Sequence, residues 1–167
     1  MSALGVHFAF TDEEVAALKA CPDVPARLTL IREELEGRYF KDHGTHLVET
    51  DKAWEGIHRV LSDGSLSFDA GVYPQNHAVL GGQQLSDDPE EIMSLKSSDQ
   101  VRDIALALRA FDQAEFRRRY ALLDEEDYGR EFSEEEADGV WEYFEHMRDF
   151  YQRAAASGRP VLFTVSL

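Results

Sequence analysis

The side chains best suited to chemistry lie between Thr50 and Leu61. There Trp54, Ile57, His58 and Leu61 fall at helical spacing and set an imidazole inside an otherwise apolar stripe. An indole can stack on a planar group, and an imidazole can give or take a proton near neutral pH. Asp51, Trp54 and His58 therefore form a candidate ligand pocket, to which Tyr73 could add a hydroxyl. The same letters also describe a packed core, in which a histidine bonded to a carbonyl or carboxylate lies beside a buried tryptophan. The two readings differ in one observable: whether the His58 ring opens into a cleft or is enclosed.

Other groupings invite a chemical reading, and each has a plainer one. His43 and His46, close to Glu49 and Asp51, offer imidazole and carboxylate ligands of the kind zinc or manganese takes. Gly44 between them suggests a loop, the spacing is not that of an H-E-x-x-H helix, and they read as solvated surface. Arg117, Arg118 and Arg119 could cradle an anion, but the acids Asp124 to Asp127 across the next turn are their expected partners, in pairs that add little stability. Gly81 and Gly82 are followed by no Lys and Ser or Thr in phosphate-loop register, and no G-x-S-x-G occurs. Cys21, the single cysteine, has no neighbour to activate a thiolate and is expected to act as a small buried hydrophobe. No catalytic residue, metal or cofactor is assigned.

Seventeen basic residues against 33 acidic ones give a net charge of −16. A field of that sign repels phosphate backbones and anionic headgroups, so nucleic-acid and membrane partners are not expected. Half the excess lies between Asp124 and Asp138, where nine acids meet Arg130 alone, a local sum of −8. Such acids suit a helix start, and they equally suit a negative surface that a basic protein partner would find quickly and lose in salt. A chain of 167 residues can bury roughly 70% of the surface its unfolded form exposes, enough for one domain over residues 1–167 without disulfides. No basic, apolar leader and no long apolar run is present, so a cytoplasmic location is expected.

The elements that must position these residues follow from caps and periodicity. Leu4 to Phe10 alternates as a strand, and Thr11 with Glu14 is a capping box that starts a helix near Asp12, ending before Pro22. A second helix runs from Pro25 to about Phe40 on the stripe Leu28, Ile31, Leu35 and Tyr39. Thr50 is expected to cap the third, with Asp51 in its first turn and Glu55 paired to Arg59; its Gly56 marks a face where another backbone comes close. Residues 62–77 read as turns, Ala78 to Leu80 as a short strand closed by two glycines, and Ile92 to Lys96 as another. Ser97 with Gln100, Asp112 with Glu115, and Ser133 with Glu136 open three more helices. The last turns Val140, Trp141, Phe144, Met147 and Tyr151 inward and ends at Gly158, ahead of a strand from Val161 to Leu167. The fold class is α+β: a small mixed sheet with N-terminal, central and C-terminal strands, packed with about six helices.

Three blocks carry a resemblance: Asp51, Lys52, Ala53, Trp54, Gly56 and His58; then Val79, Leu80, Gly81 and Gly82; then the aromatic helix with Tyr143, Phe144, Phe150 and Tyr151 and its terminal strand. In order and spacing, over most of the chain, they resemble the YfbM-like family of small bacterial proteins, a group defined as a domain of unknown function. The resemblance implies a single α+β domain from a bacterial cytoplasm, and it brings no activity, cofactor or catalytic residue. Members often carry Gly, Tyr and Pro after the glycine pair, where this chain has Ser86, Asp87, Asp88, Pro89 and Glu90. The leading expectation is a non-catalytic binding protein for a basic macromolecular partner. An enzyme or small-molecule sensor built on Trp54 and His58 is the alternative.

Overall fold

Alternation along three strands decides the layering. The computed structural model describes residues 3–130 and 132–167. Strand β1 (Gly5–Ala9) turns His7 and Ala9 to one face and Val6 and Phe8 to the other. With β2 (Leu47–Asp51), β3 (Gln83–Gln84), β4 (Glu91–Lys96) and β5 (Val161–Ser166) it forms one five-stranded sheet in the order β2-β1-β5-β4-β3. Every pairing is antiparallel, with Phe8 opposite Leu162 and Ser94 opposite Phe163, so the sheet is not mixed. Strand direction depends on how often helices carry the chain across the sheet between strands, which no local pattern encodes.

Helices cover both faces. On one side lie α1 (Asp12–Ala20), α2 (Val24–Leu30) and α3 (Glu36–Asp42), the last two joined through a π-helical turn at Ile31–Leu35. They bring Leu18, Ile31, Leu35 and Tyr39 against Phe8, Phe10, Met93, Leu95 and Leu162. On the other side lie α4 (Trp54–Leu61), α5 (Ser98–Arg109), α6 (Gln113–Ala121), α7 (Glu125–Tyr128) and α8 (Glu134–Ala156), around a core that includes Ile57, Ile104, Phe144, Phe150 and Phe163. The capping boxes of Thr11 with Glu14 and Ser97 with Gln100 both form, and Asp112 and Ser133 accept from the third amide of their helices as expected.

Two local expectations fail for the same reason: tertiary partners outcompete a short-range signal. Thr50 does not cap α4; it is a fully buried residue of β2 whose hydroxyl donates to the Gly5 carbonyl (3.4 Å), and the helix begins at Trp54 without a side-chain cap. Ala78 to Leu80 is not a strand, because side chains take its carbonyls. Ala78 O accepts from His7 Nε2 (2.8 Å) and the Tyr151 hydroxyl (2.6 Å), Val79 O from Lys96 Nζ (2.5 Å), and Leu80 O from Gln84 Nε2 (2.8 Å). Gly82 follows at φ 113°, where any Cβ would run into the Leu95 carbonyl.

Candidate functional site

The four residues singled out from the sequence are not gathered into one pocket. His58 is fully buried; its Nε2 lies 2.6 Å from the Ser67 carbonyl, and its Nδ1 is enclosed without a partner. A carbonyl only accepts, so Nε2 carries the proton. Burial pushes the ring down to about 4, against the opposing pull of the Ser67 bond, and it is neutral at physiological pH. Asp51 ends β2 at φ 48°, exposed, its carboxylate accepting from the Lys52 amide (2.7 Å): a turn residue. Tyr73 donates to Asp103 (2.6 Å) at the surface.

Trp54 is different. Its Nε1 donates to the Ala3 carbonyl (2.9 Å), its ring tilts over Phe163, and its remaining edge lines a cavity of about 440 Å3. The half-exposed Leu66 and Phe68 form part of its wall, the buried Leu80 and Ile92 its floor, and the largely exposed turn from Ser86 to Pro89 its lip. Glu55, Asp87, Asp88 and Glu91 stand around it, and among the described residues lining it none is basic. Glu55 is engaged by Arg59 (3.2 Å) and Glu91 by Arg32 (2.8 Å), whereas Asp87 and Asp88 have no cation within ion-pair distance among the described residues. An apolar floor with two carboxylates at the lip that no cation pairs, Asp88 accepting only from the Glu90 amide (2.9 Å), suits a group with a carbon body and a positive end.

Of the remaining groupings, the cysteine and the arginines resolve differently from expectation. His46 has its proton affinity lowered by burial and by Arg159, His43 and Arg153. Among the described residues no three His, Cys, Asp or Glu side chains converge on a metal-sized space. Cys21 is half-exposed at the end of α1 instead of buried, with Sγ against the Ala17 carbonyl. Arg118 and Arg119 pair with Glu115, and Arg117 with Asp138, not with Asp124 to Asp127. Asp127 is taken instead by the nearly buried Arg59 (2.6 Å), whose guanidinium faces the Tyr128 ring.

Sequence reasoning found Trp54 but missed Leu66, Phe68, Asp87 and Asp88. In the sequence Asp87 and Asp88 mark a departure from the family pattern, and nothing local joins them to a residue some thirty positions away.

The chain belongs to the family described as a domain of unknown function (DUF1877), which matches residues 1–164. A structural relative is the Escherichia coli protein of unknown function YfbM: its crystal structure matches with a TM-score of 0.67 at 23% identity, covering 97% of this chain and 99% of that one. At that identity the likeness speaks for the fold alone. No curated protein matches this chain. Among the described residues no helix is long and apolar enough to cross a membrane.

Proposed function

We propose that this chain is a non-catalytic binding protein whose Trp54 cavity receives an apolar, cationic segment of a basic protein partner. The observation that carries this is the apolar floor beneath the carboxylates of Asp87 and Asp88, which no cation pairs among the described residues. A lysine stem can lie along Leu66, Phe68 and Leu80 with its ammonium at the lip, and the Trp54 and Phe68 rings attract a cation in addition. The charge of −16 steers such a partner inward. We take residues 1–167 as one domain because both core clusters share one sheet, and place it in a bacterial cytoplasm, where an unpaired cysteine is at home.

A short peptide of Lys and Leu, titrated into a Trp141→Phe background so that Trp54 alone reports, should change the indole emission with an affinity that weakens as salt rises. Phe68→Asp separates cavity from surface attraction. Added negative charge strengthens a diffuse electrostatic contact, whereas a polar group in the apolar wall should weaken cavity binding about 5- to 10-fold. Tighter binding by Phe68→Asp, or no salt dependence, rejects the proposal. The volume, inside the roughly 300–1,000 Å3 of small-molecule sites, favours a second reading in which a free organic cation is the ligand of a sensor or enzyme. Octylammonium binding with the peptide silent selects that reading.

A further inference from the structure

The outer wall of the cavity is held from behind by a residue that never reaches its interior. Leu66 and Phe68 are 39% and 40% exposed, so their own burial fixes them weakly. The loop that carries them is pinned at both ends: Gly64 bonds through its amide and its carbonyl to Arg59, and Ala70 O accepts from Asn76. Between those ends the bonds are local. Ser65 is tied to Ser62 and Asp63, and the Ser67 hydroxyl to Asp69 and the Ala70 amide. Among the described residues, one hydrogen bond reaches residues 65–69 from outside the 62–74 loop, that of His58 Nε2 to the Ser67 carbonyl at 2.6 Å.

We propose that His58 is a latch: a positioning residue that holds Leu66 and Phe68 in place as the cavity wall, and so sets the affinity of the site without touching its occupant. The proposal rests on the cavity being the binding site. Ser67 lies between the two wall residues, so fixing its carbonyl fixes the path of the chain through both. The ring is enclosed on α4 and cannot swing to solvent. Trp54 stands one turn earlier on the same helix, so the inner wall and the latch move as one body. The imidazole inside an apolar stripe, ambiguous as sequence, thus serves the pocket from its rear.

The test uses two variants and two readouts. His58→Phe keeps a planar ring and loses the donor, while His58→Gln places an amide N–H near the site of Nε2. Amide hydrogen exchange at residues 65–70 should quicken about tenfold in His58→Phe, with β1 and β5 amides unchanged, and return toward wild type in His58→Gln. Octylammonium affinity should fall and recover in parallel. Unchanged exchange at 65–70 in His58→Phe, or no recovery in His58→Gln, overturns the latch. If neither octylammonium nor the Lys and Leu peptide binds the wild type, the cavity reading falls, while the exchange pattern still decides whether His58 holds the loop. Should His58→Phe not fold, the wild-type imidazole nitrogens decide by NMR: a slowly exchanging Nε2 proton supports the latch, and an Nδ1 proton removes it.

Discussion

His7 and His58 both direct their protonated nitrogen at a backbone carbonyl and leave the other enclosed. Burial, reinforced by Lys96, pushes His7 down to about 3, and burial pushes His58 down to about 4. A folded-state pKa below the unfolded one means that the unfolded chain binds the proton more tightly. The stability these residues contribute is complete above about pH 6.5 and is lost as pH falls toward the folded values, to the extent of roughly 3–5 kcal/mol each. Urea midpoints measured from pH 7 to pH 4 should therefore fall, and fall less steeply in His58→Gln; equal slopes would mean that the ring is already charged in the fold. Gly56 makes a second residue-scale case. A Cβ there would lie 2.5 Å from the Tyr128 hydroxyl, so the close approach inferred from the glycine is real but comes from a side chain, not another backbone. Gly56→Ala should destabilise by about 2 kcal/mol, and by clearly less in a Tyr128→Phe background, where the hydroxyl is gone. Additive losses in the double-mutant cycle would refute that contact.

At the scale of elements, what the sequence made legible was what its own neighbours decide. The Thr11–Glu14 and Ser97–Gln100 boxes close within four residues, and both helices start where they should. The stripe of α8 is equally local, with Val140, Trp141, Phe144, Met147 and Tyr151 all buried. Thr50 and Asp51 carry the letters of a helix cap, yet β1 recruits them as an edge strand, so β2 was invisible. Trp54 was legible as a large side chain on an inner stripe; its cavity was not, because the loop at 66–68 and the turn at 86–89 reach it only through the fold. Lys96 shows the same limit. It ends a strand that reads as apolar, yet its amine is fully enclosed, bonded to Val79 O and Ser94 O, and burial pushes its pKa well down. A lowered lysine pKa gives stability that is complete above the unfolded value near 10.5 and is lost as pH falls. The urea midpoint of the wild type should accordingly rise from pH 7 to pH 9, and Lys96→Met should lack that rise. A shared slope would place a charged ammonium inside the core.

Across the whole molecule, the acidic excess is distributed differently from its order in sequence. Four acids of the segment from Asp124 to Asp138 are engaged internally: Asp124 caps α7, Asp127 meets Arg59, Glu136 meets Arg130 and Asp138 meets Arg117. That engagement weakens the segment as a docking face and shifts weight to the cavity lip, where among the described residues no cation pairs Asp87 or Asp88. The net charge nevertheless remains −16, and like charges on one small body repel. Added salt acts on two opposed quantities, screening this repulsion and also screening the ion pairs. Most of those pairs are partly exposed and contribute little each, whereas the repulsion is summed over all the unpaired acids. Repulsion should win, so the thermal midpoint should rise as NaCl goes from roughly 10 mM to 0.3 M. Over that same range the affinity for a Lys- and Leu-containing peptide should fall. A protein that grows more stable while its ligand lets go separates site electrostatics from fold electrostatics in one titration. If stability and affinity instead fell together, the ion pairs would outweigh the repulsion, and the salt effect on binding could no longer be assigned to Asp87 and Asp88.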